Sequence, residues 1–304
     1  IRDSGSTDGT AEIAEEYAKK YPSVVRVIHQ ENKGHGGAVN TGIAAASGMY
    51  VKVVDADDWV GPESLEQVMA VLRGEVGKDE PLDMLVTNYV YDKVGKRNKH
   101  VVNFRHAMEP GKRLTWDDLG HFGLTEYILM HALIYRTAVV RESKMQLPEH
   151  TFYVDFIYAY QPFPWVKSLQ YVDTPFYHYF IGRDGQSVQT DVMIRRVDQL
   201  RLVNQCMVRA TPERGTVPDG LYRYMIHFLA IESSVASVFM ILSRDHANYE
   251  KKKQLWADIK AYSPTIYADV RKKAMSRALN LHGSLGRFVI RKGYFVAEHV
   301  VGFN

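Results

Sequence analysis

Along residues 1–90 the apolar positions recur at two alternating periods. Ala14, Tyr17, Ala18 and Tyr21 share one helical face, while Glu15/Lys19 and Glu16/Lys20 pair i,i+4 on the wet side. Pro22 ends that helix, and the β-branched run from Val24 to Ile28 predicts a buried strand. The turn-rich Gly34-His35-Gly36-Gly37 then leads into a helix from Ala38 to about Ser47. A further strand, Tyr50 to Val54, runs directly into Asp55-Ala56-Asp57-Asp58-Trp59, and Pro62 suits the first turn of another helix. Leu82 to Tyr91 reads as a strand, and the charged stretch through Lys99 to Val101–Phe104 predicts an exposed hairpin. This alternation is the pattern of βαβ units, an α/β fold with a mainly parallel sheet flanked by helices.

From about Thr190 the pattern turns helical, which divides the chain into an α/β region, 1–189, and a helical C-terminal region, 190–304. Tyr224 to Ser243 is the most apolar window. His227, Glu232 and several serines interrupt it, so it predicts a core or interfacial helix rather than a membrane span.

Composition narrows the class. In 304 residues, 46% hydrophobic and 24% charged is the mix of a packed protein and excludes a disordered chain or a fibre. A formal net charge of +3 is too small to make nucleic acid the main partner. The lone Cys206 cannot form an internal disulfide or a thiolate-rich zinc site, which predicts a reducing, cytoplasmic compartment. No secretory signal is visible, and the chain opens at Ile1 inside a turn motif, so an upstream segment, a first strand and helix, is expected.

Chemistry concentrates in turns. Asp55 and Asp57 stand one residue apart after a strand, where alternation aims them the same way, and such a pair suits a divalent cation shared with phosphate oxygens. A solvated acidic loop is the alternative. Asp3-Ser4-Gly5-Ser6, the Gln30–Gly34 loop and this acidic cluster all fall at strand-to-helix turns, which share one edge of a parallel sheet. Three motifs follow in order: Asp-x-Gly-Ser-Thr-Asp-Gly-Thr from Asp3, Gln-x-Asn-Lys-Gly-His-Gly-x-Ala-Val-Asn-x-Gly from Gln30, and Asp-Ala-Asp-Asp-Trp from Asp55. Together they resemble glycosyltransferase family 2, over roughly residues 1–187 and most strongly over 1–60.

The resemblance implies a GT-A-like, Rossmann-like fold and a metal-dependent, inverting transfer from a nucleotide sugar, with a UDP-sugar as the first expectation and Mn²⁺ or Mg²⁺ as cofactor. It places Asp3 and Ser4 at the nucleoside, Asp55 at the nucleoside or ribose, and Asp57 on the metal. Lys33, Gly34 and His35 would contact the phosphates, with a local capping or packing role as the alternative for His35. The family's base lies in a Glu-Asp pair. Here Asp155 matches the second member and Val154 replaces the first, with Glu149 and His150 as fallback bases and helix capping as the alternative role of Asp155. The stretch Pro175–Phe180 followed by Gly182–Ser187 is similar to the family's closing strand and loop, which makes Arg183 a diphosphate contact and His178 a metal neighbour or a plain strand-face histidine.

Trp59 adjoins the metal motif and is the acceptor-side candidate; Trp116 and Trp165 are expected to be packing residues. Between Arg271 and Phe295 basic and aromatic residues interleave without a carboxylate, which suits either a solvated face or peripheral contact with an anionic membrane, at the inner face of the cell membrane, near a lipid-linked or saccharide acceptor. Cell-surface polysaccharide is the product class this implies. Competing readings are a catalytically silent fragment or nucleotide-binding module, and an Asp-x-Asp phosphohydrolase. The last is disfavoured because Trp59 stands where its Thr belongs.

Overall fold

A computed structural model describes the chain except residues 94, 96–98, 183–186, 281–282 and 302–304. Strands β1 (Arg2–Asp3) and β2 (Ile28–His29) pair in parallel across α1 (Thr10–Lys20). Of the apolar face read in α1, only Ala14 is buried; Tyr17 and Tyr21 stay about half exposed. The strand expected from Val24 is shorter, because the amides of Val24 and Val25 turn back to the Tyr21 carbonyl. Helix α2 (Gly34–Ala45) begins four residues before Ala38, so the glycine-rich run is its first turn and not a loop ahead of it.

Strand β3 (Tyr50–Val51) stops short of Val54, and after the acidic turn the chain forms β4 (Trp59–Val60), which periodicity did not predict. Pro62 does open α3 (Pro62–Arg73). The long strand β5 (Met84–Lys93) pairs with β6 (His100–Val102) as the expected hairpin. There follow β7 (Arg113–Leu114), β8 (Leu133–Arg136), α4 (Thr137–Glu142), α5 (Asp155–Tyr160) and β9 (Leu169–Ile181).

The main sheet runs β3-β8-β5-β9-β4, with β6 on β5 and β7 on β9. Only β5 and β9 pair in parallel; the other pairs in this sheet are antiparallel. The sheet is therefore mixed, where a mainly parallel one was expected. Buried runs such as Met84 to Val86 report that both faces are covered and carry no information on strand direction.

The rest is helical: α6 (Thr190–Arg195), α7 (Val197–Ala210), α8 (Asp219–Leu242), α9 (His246–Tyr262), α10 (Pro264–Lys272), α11 (Ala274–Leu279) and α12 (Gly283–Val301). Secondary structure does change at Thr190, yet one core runs across the change. On α8, Tyr224 stacks on Trp116 with centroids 5.4 Å apart, and Phe228 meets the rings of Tyr127, Phe156, Tyr160 and Phe163. Gly220 permits this approach, since a Cβ there would overlap the Trp116 carbonyl. Among the described residues α8 alone is long and apolar enough to cross a membrane, and it is mostly buried against its neighbours, as its interrupting polar residues predict.

Phe228 is fully buried at this junction, so Phe228→Ala should cost about 3–5 kcal/mol. A shared core further predicts a single cooperative transition in urea, followed by far-UV circular dichroism and tryptophan fluorescence together; two separated transitions would show that the halves fold apart.

Candidate active site

The acidic turn between β3 and β4 is held by β9. The Tyr177 hydroxyl donates to Asp58 Oδ2 at 2.6 Å and accepts from the Asp55 amide at 3.1 Å, while the Phe180 amide donates to Asp58 Oδ1 at 2.8 Å. Burial outweighs these donors and pushes the Asp58 carboxyl up to about 6. Asp55 is half-buried, which raises its pKa, but His35 Nε2 lies 2.9 Å from its Oδ1 and brings it below the usual range. The same contact raises His35 against a burial that would lower it. Asp57, between them, is exposed.

Beneath the turn, Lys52 Nζ donates to the carbonyls of His131 (2.6 Å) and Met130 (3.0 Å) and stands 4.6 Å from the Tyr177 ring centroid. Burial lowers it to about 7, although Asp55 and Asp58 pull the other way. His131 is buried and held neutral, its pKa pushed down to about 3 by burial and then by Lys52. Its ring lies between Tyr179, 4.3 Å away, and Tyr177, 4.9 Å away.

Helix α2 shapes the opposite wall. Asn40 clamps Leu147, donating to its carbonyl at 2.9 Å and accepting from its amide at 3.0 Å, and the His150 amide donates to the Lys33 carbonyl at 2.9 Å. A Cβ on Gly36 would come within 2.5 Å of the Pro148 carbonyl oxygen, so glycine is required for contact between backbones. This clamped loop carries two non-glycine residues at positive φ, His150 (51°) and Tyr153 (64°), a strain typical of sites held by their surroundings. It delivers Asp155 as the first residue of α5. Val154 is the N-cap and no side-chain cap is made, which leaves Asp155 outside the capping role considered for it. Burial pushes its carboxyl up to about 6, with His35 opposing.

His35, Asp55, Asp57, His131, Asp155 and Tyr179 thus line one cavity of about 320 Å³. Other expected site residues do not line it. Asp3 receives the Ser6 amide and lies 3.1 Å from His29 Nδ1, which together hold its carboxyl at about 2; Ser4 accepts from Gln30 Nε2 at 3.3 Å. Lys33 pairs with Glu149 at 3.3 Å, which takes that fallback base away from the cavity, and His150 lies outside the lining as well. Gly34 serves the turn, with φ 67° and its amide on Asn32 Oδ1. Arg183 lies outside the described residues. Trp59 is partly exposed and stacks on His178 at 5.2 Å. His178 Nδ1 is 2.8 Å from Asp92 Oδ2, and the residue does not line the cavity. The motifs do not mark Lys52 or His131. A lone lysine inside Tyr50–Val54 was the available signal for the first; nothing local marks the second.

The donor set fits a divalent cation. Asp55, Asp58 and His131 each offer a ligand atom within 4.8 Å of the others, and His131 Nδ1 is buried without a hydrogen-bond partner among the described residues. Asp57 and His178, the two residues expected at the metal, are absent from this group, although Asp57 lines the same cavity.

Residues 1–136 match the family model described as Glycosyl transferase family 2. This segment belongs to glycosyltransferase family 2. It contains the Asp3 turn, the start of α2 and the Asp55–Asp58 cluster, and it ends before Asp155. The chain is 30% identical to EpsH of Bacillus subtilis (strain 168), named as a glycosyltransferase, over 60% of this chain and 51% of that protein. It is 27% identical to the cholesterol galactosyltransferase of Borreliella burgdorferi over 63% of this chain and 54% of that protein. It therefore spans about half the length of the curated relatives it matches. In fold it is similar to Staphylococcus aureus TarS residues 1–349 in complex with UDP-GlcNAc, at TM-score 0.58 and 18% identity over 96% of this chain and 82% of that one. The GT-A-like α/β class with a helical C-terminal region is accordingly the fold of this chain.

Proposed function

We propose that the protein is a cation-dependent, inverting glycosyltransferase that moves a sugar from a nucleotide sugar, first a UDP-sugar, to a hydroxyl acceptor. One observation carries the reading: Asp155, on α5, faces the same cavity as Asp55 and Asp57, although about a hundred residues separate them. Membership of the family over 1–136 and the fold shared with TarS, whose structure holds UDP-GlcNAc, support it.

In this reading the Asp155 carboxylate removes the proton of the acceptor hydroxyl as its oxygen attacks the anomeric carbon. The bond from that carbon to the diphosphate breaks from the opposite face, the pair of electrons leaves with the diphosphate, and the anomeric configuration inverts. Asp55, Asp58 and His131, with Asp57 on the solvent side, would hold the cation, whose charge would offset that of the leaving diphosphate. His35 fixes Asp55, and Lys52, held by the Met130 and His131 carbonyls, lies beneath the carboxylates. A carboxyl near 6 is poised for the base, because it is ionised at neutral pH and still accepts a proton readily.

We place the protein in the cytoplasm, peripheral to the inner membrane face, in cell-surface polysaccharide synthesis. On α12, Phe288 and Phe295 are exposed one helical face apart from the inward Arg287, with Lys292 between them, a face that suits an anionic bilayer.

Calorimetric titration with UDP should show binding that requires Mn²⁺ and is lost in Asp57→Ala; Mn²⁺-independent binding equal in both proteins would overturn the cation assignment. Asp155→Asn should retain UDP binding and lose transfer by about a thousandfold, within the usual range for a lost general base. In the parent protein, transfer should rise with pH through about 6, since the base works only when ionised; a flat profile from pH 5 to 7 would exclude Asp155 as that base. Co-sedimentation with phosphatidylglycerol vesicles at low salt should weaken in Phe288→Ser/Phe295→Ser, and no sedimentation of the parent would remove the membrane assignment.

A further inference from the structure

Away from the carboxylate-lined cavity, a second one of about 410 Å³ opens among α8, α9, α10 and α12. Five of its lining residues are cations: Lys252, Lys253 and Lys260 on α9, Arg271 on α10 and Arg287 on α12. None is a carboxylate. Aromatic rings set the arginines in place, with the Arg271 guanidinium 5.5 Å from the Trp256 centroid and that of Arg287 4.8 Å from Tyr249. Lys253 pairs with Glu250, which lies outside the lining. Among the described residues Lys252 reaches the neutral Asn280 Oδ1, at 3.5 Å.

Lys253 and Lys260 form an exposed rim, whereas Lys252, Arg271 and Arg287 are half-buried and converge on the concavity, unlike the cations of a solvated basic face. Lys252 is pushed down to about 8, first by burial and then by the charges of Arg271 and Arg287, so three cations crowd one another within the concavity. A concave wall of like charge with low-dielectric flanks focuses potential and draws in counter-ions. Guanidinium forks match the oxygens of phosphate, and the rings of Tyr249, Trp256 and Tyr267 offer apolar surface for what the phosphate is attached to. The volume lies within the ordinary range for small-ligand sites.

We propose that this cavity binds a phosphorylated ligand, a phosphate monoester or diester, with Arg271 and Arg287 gripping the phosphate and Lys252 at its base. The ligand reaches it either free in solution or as the head group of a lipid. None of the cavity's residues lines the proposed donor site, so the inference stands independently of the transfer reaction.

The test uses the full chain in EDTA, where the carboxylate-lined cavity repels phosphate. Calorimetric titration with glycerol 3-phosphate and, separately, sedimentation with vesicles of phosphatidylglycerol and phosphatidylcholine distinguish the two sources. Saturable binding in either arm that weakens at least tenfold in Arg271→Gln/Arg287→Gln, and is unchanged in Arg195→Gln, supports the site and names its source. Lys252→Met serves if the double variant loses its near-UV circular dichroism. Binding should also take up protons near pH 8, because an anion raises the Lys252 pKa, so the enthalpy should depend on buffer ionisation heat in the parent and not in Lys252→Met. No saturable binding in either arm, or binding that all variants retain, overturns the proposal.

Discussion

One hydroxyl ties the sheet to the chemistry. Tyr177 sits on β9, the strand that pairs with β5, β4 and β7, and its oxygen bridges the Asp58 carboxylate and the Asp55 amide. Three carboxylates within four residues repel one another, and left in water they would splay. The bridge instead gives each a separate environment: Asp55 faces His35, Asp58 is drawn into the sheet, and Asp57 stays exposed. Lys52 completes this arrangement from below. Its ammonium donates its hydrogen bonds to the backbone carbonyls of Met130 and His131 and not to the carboxylates.

The helical region is part of the site's support. The Phe152 amide donates to Gln199 on α7, the Arg196 guanidinium lies 3.3 Å over the Phe152 ring, and Phe156 packs on Phe228 of α8. The strained turn at Tyr153 is thereby held from both sides, by α2 through Asn40 and Lys33 and by the C-terminal helices. Strain of this kind persists only where neighbours over-determine it. A boundary drawn at Thr190 from secondary structure alone thus crosses a continuous core, and the position of Asp155 depends on residues from both sides of it.

Much of this was legible in residue order. The Asp3, Gln30 and Asp55 motifs announced the family, Pro62 its third helix, and Leu82–Tyr91 the central strand. Asp155 was found by its match to a motif position and does face Asp55 and Asp57 across one cavity. Strand direction was not legible, because a buried strand reads alike whichever way it runs. His178 illustrates the limit: its place in a Tyr-rich strand suggested the metal, but pairing of β9 with β4 and β5 turned it to Trp59 and Asp92.

Local sequence determined which residue types stand at strand-to-helix turns, where α3, α9 and α10 begin, and which helix is apolar enough for the core, because propensity, capping and burial act over a few neighbours. Tertiary structure decided the mixed sheet, the recruitment of His131 and Lys52 beneath the acidic turn, and the role of Gly36 as a contact between backbones. It also turned Arg271 and Arg287 inward onto aromatic rings, where the linear pattern showed only a basic tail. Each of these depends on contact between segments far apart in the chain, and the energy of such a contact is set by what packs opposite, which no window of sequence contains.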